Sequence, residues 1–248
     1  MTDELVCGPH AVLAALKAHA DEIDGVWVST ERQDRRVAAV LFAARTARIK
    51  VHRAPRAALD RMSEGVPHQG VIARRQAAPR SIRKDLGEFV AGLSAKPLIL
   101  VLDGVQDPHN LGACLRAADA AGAQAVVVPR DRAAPLSAVA RRAAAGAAET
   151  MPLFQVTNLA RALDELRQAG LWIIGTMADA EKNVFQADLR QPVALVLGGE
   201  GKGLRRLTQE RCDLLVRIPM SGTVGSLNVS VAAGICLFEV LRQRFIAG

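Results

Sequence analysis

Leu98-Ile99-Leu100-Val101-Leu102 is an unbroken apolar run of strand length, and the residues behind it decide the fold. Asn110 to Ala121 follows, with Leu111, Leu115, Ala118 and Gly122 at helical spacing, and then Ala125-Val126-Val127-Val128 reads as a second buried strand. The alternation continues through a helix near Leu136 to Ala145 and another from Leu159 to Gln168. Leu171-Trp172-Ile173-Ile174, Val193-Ala194-Leu195-Val196-Leu197 and Leu215-Val216-Arg217-Ile218 read as further strands. The chain closes on a helix predicted from Ser226 to Arg244, where Leu227, Val231, Gly234, Phe238 and Leu241 mark one face. Strands apolar at every position are buried on both faces, so this part is expected to be an α/β domain with a mostly parallel sheet covered on both sides.

Upstream of Pro97 the pattern is looser. Val12, Leu13 and Leu16 recur at helical spacing in Ala11 to Ala20, and a second helical run spans Arg35 to Thr46. Val26-Trp27-Val28, Ile49-Lys50-Val51 and Gly70-Val71-Ile72-Ala73 read as short strands. From Arg74 to Lys84 the chain carries five positive charges, no acid and one proline, the composition of a basic linker. The expected organisation is a small α/β domain over 1–78, a linker over 79–96 and the larger domain over 97–248.

The 248 residues carry a formal net charge of +7. Residues 1–96 hold 16 Lys and Arg against 11 Asp and Glu, while residues 97–248 hold 16 against 14. The excess therefore lies mainly in the first part, which suits either a solvated basic face or a polyanionic partner. No stretch of about 18 uncharged apolar residues exists, so no membrane-spanning helix is expected. The start, Met1-Thr2-Asp3-Glu4, lacks a basic segment, so a signal peptide is not expected. Cys7, Cys114, Cys212 and Cys236 are widely spaced, which predicts reduced thiols in a cytoplasmic protein, without a zinc site or disulfide framework.

Gly198-Gly199-Glu200-Gly201-Lys202-Gly203 invites comparison with nucleotide-binding loops. A Walker-type loop needs glycine where Val196 stands and Ser or Thr where Gly203 stands. A dinucleotide fingerprint needs glycine at Leu204 or Arg206. Both fail on spacing. Neither a nucleophile-elbow sequence nor a His-x-x-x-His helix is present, so the inventory fits chemistry with a reactive donor and no metal.

Three segments remain, each at the carboxyl end of a predicted strand, where open α/β sheets bind ligands. The first, Asp107-Pro108-His109-Asn110-Leu111-Gly112-Ala113-Cys114-Leu115-Arg116, places Asn110 as a helix cap and Arg116 six residues on, within two turns, so both are expected to address the same end of the helix. The second runs from Leu195 to Leu204 and sets Glu200 among four glycines that permit close backbone approach. The third, Ile218-Pro219-Met220-Ser221-Gly222-Thr223-Val224-Gly225-Ser226-Leu227-Asn228, is a small-residue loop with Ser226 as the predicted cap of the last helix. Read singly, each is equally a cap or a tight connection.

Together, in this order, they resemble the three signature motifs of the SpoU/TrmH class of SPOUT RNA 2′-O-ribose methyltransferases, from Pro97 to about Arg244. Gly8-Pro9-His10-Ala11-Val12, Arg35 and His68-Gln69-Gly70-Val71 resemble the substrate-binding module of the branch acting on a guanosine of bacterial 23S rRNA. The resemblance implies an L30e-like first domain and a trefoil-knotted catalytic domain. It also implies S-adenosylmethionine as methyl donor with no metal, and a homodimer with the active site at the subunit interface. Residue by residue, it implies cofactor contacts at Leu197, Gly198, Ile218, Met220 and Leu227. The catalytic positions are Arg116, Asn110, Glu200, Ser226 and Asn228, with Arg116 central as base or as a phosphate-gripping orienter.

The implied substrate is the guanosine in the peptidyl-transferase P-loop of 23S rRNA. Two other readings stay open: a tRNA guanosine 2′-O-methyltransferase of the same class, and a non-catalytic RNA-binding assembly factor. The first domain offers only Trp27 and Phe42 for base stacking, which favours recognition of folded RNA by shape and charge.

Overall fold

The computed structural model describes residues 4–75, 86–93, 96–201 and 203–246. The chain forms two compact units, one from residues up to 80 together with Pro135–Thr150, the other from Ser81–Ala134 and Met151–Gly248.

In the first unit, strands β1 (Glu4–Cys7), β2 (Ile23–Ser29), β3 (Val51–Ala54) and β4 (Val71–Arg75) form one sheet in the order β1-β4-β2-β3. β4 runs antiparallel to both neighbours, and β3 lies parallel to β2 at the edge. Helices α1 (Pro9–Ala18) and α2 (Arg35–Thr46) cover one face, burying Val12, Leu16, Val37 and Val40 against Val26 and Val28. Asp34 caps α2, its carboxylate accepting from the Arg36 and Val37 amides. On the other face, Leu59 of α3 (Arg56–Met62) packs with Cys7 and Ile72.

Two short helices from later in the chain, α6 (Ala138–Ala143) and α7 (Ala147–Thr150), complete this unit. The division drawn from sequence placed them in the second domain. They pack on α1 and β1, and an ionic cluster ties them in: buried Glu149 accepts from Arg75 Nη1 at 2.7 Å and from Arg141 Nη1 at 2.6 Å. Arg75 Nε also donates to Glu22 at 2.6 Å. Each buried charge thus has a partner, without which burial is prohibitive.

The second unit begins with α4 (Leu86–Ala91), whose Leu86 and Val90 are buried. This part of the expected linker is therefore packed structure, whereas 76–85 lies outside the described residues. Strands β5 (Leu98–Asp103), β6 (Ala125–Pro129), β7 (Leu153–Val156), β8 (Trp172–Thr176), β9 (Lys182–Asn183), β10 (Val193–Gly198) and β11 (Leu214–Arg217) form a seven-stranded sheet in the order β7-β6-β5-β10-β8-β11-β9. Every pairing in it is parallel. Ile99 and Val101 pack toward α4 and α8 (Leu159–Gln168), while Leu98, Leu100 and Leu102 alternate to the opposite face. Helices α5 (Pro108–Ala120) and α10 (Val229–Ile246) pack together, α5 against β6 and α10 against β10. The short α9 (Arg206–Gln209) follows the glycine-rich turn.

β10 enters between β5 and β8, and β11 between β8 and β9. The carboxyl ends of these late strands thereby lie amid strands laid down earlier.

Two element boundaries differ from expectation. Asp107, not Asn110, caps α5, accepting from the His109 amide at 2.8 Å, and Pro108 occupies the first turn where a missing N–H costs nothing. The last helix starts at Val229, and Asn228 caps it by accepting from the Ser230 amide at 2.9 Å, which leaves Ser226 in the loop. On α10, Val231 and Phe238 of the marked face are about half exposed, while Ala233, Cys236, Leu237 and Val240 form the buried stripe.

Candidate active site

The glycine turn after β10 is pinned at both ends to one residue. Asp103, the last residue of β5, accepts the Gly199 amide on its carbonyl at 2.8 Å. Its buried carboxylate accepts from the Arg205 amide at 3.0 Å and from Arg205 Nε at 2.5 Å. A Cβ on Gly198 would lie 2.1 Å from the Gly203 carbonyl carbon, and one on Gly199 would lie 2.2 Å from the Gly104 oxygen. Only glycine permits this approach.

The turn presents Glu200. Its Oε1 accepts from Asn110 Nδ2 at 2.7 Å and from Asn228 Nδ2 at 3.0 Å, and Asn228 Nδ2 also reaches Asn110 Oδ1 at 2.9 Å. Three separate motifs thus share one polar cluster. Asn110 is buried, and its amide is spent on Glu200 instead of on capping.

Beside this cluster lies a cavity of about 640 Å³. Leu197, Gly198, Ile218, Met220 and Leu227 all line it, as do Glu200 and Ser226. Its volume falls within the range of small-molecule sites. The walls are aliphatic and glycine-rich, so polar recognition would come largely from backbone groups. That lining suits an adenine ring and a methionine-derived sulfonium arm, and S-adenosylmethionine fits it.

Arg116 stands apart. It is exposed on α5 and does not line the cavity. At about 100° per residue, six positions turn it some 240° from Asn110 around the helix, so the two do not address one spot within a single chain. Among the described residues it has no hydrogen-bond or ion-pair partner.

Sequence reasoning missed Asp103, Arg205, Thr176 and Arg217, the last two of which line the cavity. The signal for Asp103 was a carboxylate closing an otherwise wholly apolar strand. Lys202 lies outside the described residues. Burial pushes the Cys114 and Cys236 thiols up to about 12, and Cys212 likewise to about 12, so none is a ready nucleophile.

Residues 97–238 match the SpoU rRNA methylase family model, and residues 5–80 match the model for RNA 2′-O ribose methyltransferase substrate binding. A 23S rRNA (guanosine-2′-O-)-methyltransferase RlmB of Pseudomonas aeruginosa is 52% identical over 243 residues, covering 97% of each chain. The corresponding protein of Ralstonia nicotianae is 50% identical, covering 98% of this chain and 97% of its own. Among solved structures, an RNA 2′-O ribose methyltransferase superposes with a TM-score of 0.83 at 32% identity, covering 98% of this chain and 89% of that one. The SpoU methyltransferase AviRb from Streptomyces viridochromogenes in complex with AdoMet superposes at 0.78 with 26% identity, covering 99% of this chain and 92% of that one.

Proposed function

The chain belongs to the SpoU rRNA methylase family, and from that premise we propose that it transfers a methyl group from S-adenosylmethionine to the ribose 2′-oxygen of a guanosine in 23S rRNA. The observation that carries this reading is the meeting of Asn110, Glu200 and Asn228 beside a cavity of cofactor size. Together with the basic first domain, it favours an RNA enzyme over a non-catalytic assembly factor. The 23S rRNA names of the full-length relatives favour rRNA over tRNA. We infer that the target nucleotide is the guanosine of the peptidyl-transferase P-loop and that the protein acts in the cytoplasm.

Bound S-adenosylmethionine supplies an activated sulfonium methyl, so the protein's task is alignment and removal of the hydroxyl proton. Gly198, Ile218 and Leu227 are assigned to holding the donor through backbone contacts, with Leu197 and Met220 as apolar walls. Glu200 fixes Asn110 and Asn228, joining the start of α5 to that of α10. Arg116 is assigned to the RNA. A guanidinium holds its proton tightly, so gripping the phosphate beside the target ribose is physically easier for it than acting as a free base.

We infer a homodimer. Arg116 projects away from its own chain's Asn110 cluster, which suits a site completed between two copies. Val231, Phe238 and Phe245, spaced by seven on α10, are 49%, 48% and 76% exposed, an apolar stripe on a helix that packs with α5.

The test is transfer of labelled methyl into 23S rRNA by wild type and Arg116→Ala, with donor binding followed by calorimetry. Loss of transfer with donor affinity retained is the expected result. Near-normal turnover in the variant removes Arg116 from the mechanism, and failure of the wild type to bind the donor revives the non-catalytic reading.

A further inference from the structure

On the sheet of the first unit, three side chains from adjacent strands form one continuous stack. Trp27 of β2 and His52 of β3 are register partners, with ring centroids 4.9 Å apart and planes 11° from parallel. The guanidinium carbon of Arg74, on β4, lies 4.8 Å from the Trp27 ring centroid. Gly25 supplies the floor: a Cβ there would stand 3.2 Å from the indole, so a larger residue would lift the ring. The stack shares the α3 face of the sheet, where Trp27 packs against the Cys7, Leu59 and Ile72 cluster.

β3 is the edge strand among the described residues, and His52 is only half buried. Trp27 and Arg74 stand on the strands inward of β3, so His52 is the member of the stack nearest the sheet edge. Exposed Arg48, Lys50 and Arg53 flank it along the chain. A flat aromatic surface ending at a sheet edge among cations suits an unpaired nucleobase with its phosphates on either side.

We propose that this stack is a nucleobase-capture site: an unpaired base of the RNA substrate lies on the outer face of His52, continuing the order Arg74, Trp27, His52. The site rests on the reading of the chain as an RNA enzyme and adds one stacked base to recognition by shape and charge. Its position on the first unit makes it a determinant of which RNA is engaged, separate from the residues that hold the methyl donor.

The test measures binding of in vitro transcribed 23S rRNA across a salt series, alongside methyl transfer. His52→Ala is expected to weaken RNA binding about tenfold. The slope of log affinity against log salt should stay unchanged, because no phosphate contact is removed. S-adenosylmethionine affinity should also be unchanged, and His52→Phe, which restores a flat ring, should recover most of the loss. Trp27→Phe keeps an aromatic support and should lose less than Trp27→Leu, with melting temperatures reported for both. Wild-type affinity in His52→Ala overturns the proposal. So does equal weakness of the Ala and Phe variants, or a loss carried by a changed salt slope. A protein that binds RNA with this His52 dependence yet transfers no methyl group supports the stack and removes only the enzymatic reading.

Discussion

Asn110 and Glu200, ninety positions apart, are joined by a 2.7 Å hydrogen bond from the Asn110 amide to the Glu200 carboxylate. Because Asn228 donates to the same oxygen, Glu200 links the start of α5 to that of α10. Glu200→Ala leaves the buried Asn110 amide without its acceptor, while Asn228 keeps Asn110 Oδ1, and is expected to destabilise the second unit by about 1–3 kcal/mol. Methyl transfer should fall by at least tenfold. Asn110→Asp sets a carboxylate against a carboxylate and should lower turnover further than Asn110→Ala. Steady-state kinetics with paired melting curves separates the two effects. Equal turnover in wild type and Glu200→Ala would detach the cluster from catalysis.

The glycine turn makes a contrast between neighbours. Gly198→Ala forces a methyl into the Gly203 backbone, so donor binding should be lost beyond detection by calorimetry. Gly201 has φ of +80° with open space around its Cβ position. Alanine there meets only backbone strain, about 1–2 kcal/mol, and should retain the donor with a modest drop in melting temperature. Similar donor affinity in the two variants would contradict a tight cradle.

Much of this frame is legible in the sequence because burial leaves a pattern. The apolar runs at Leu98, Ala125 and Val193 became central strands since parallel sheets bury both faces. What stayed hidden was set by contacts distant in sequence. Nothing local in Pro135–Thr150 shows that Glu149 pairs with Arg75, which attaches that segment to the first unit. The Val231 and Phe238 face was legible as apolar, but apolarity alone does not say whether the covering surface belongs to the same chain. Asn110 reads as a cap because caps and polar ligands use the same side chains. Only the fold shows Asp107 taking the cap while Asn110 turns to Glu200.

Acid sensitivity has an identifiable contributor. The Arg242 guanidinium beside Glu239, with help from Gln243, holds its carboxyl below the ordinary glutamate range. A depressed carboxyl adds stability above its unfolded value and loses it as pH falls through the folded one. Denaturant midpoints for the wild type should therefore decline below the usual glutamate titration range, and Glu239→Gln should show a shallower decline. Parallel pH profiles would remove Glu239 from the acid response.

The apolar stripe on α10 predicts its own disruption. Phe238→Asp places a charge on an exposed position of one chain, so the isolated fold and donor binding should survive. Light scattering after size exclusion should report a dimer for the wild type and a monomer for the variant, with the variant's methyl transfer to rRNA lost. A dimeric, active Phe238→Asp protein would place the interface elsewhere.

The claim at the centre is that separate strand-end loops form one site that delivers a methyl group to a guanosine ribose. The most direct measurement is mass spectrometric mapping of ribose methylation in unmodified 23S rRNA after incubation with the purified protein and S-adenosylmethionine. The account predicts a single new 2′-O-methylguanosine, in the peptidyl-transferase P-loop, absent when Arg116→Ala replaces the wild type. Donor binding without any methylated ribose, or methyl groups found only on bases, would contradict it.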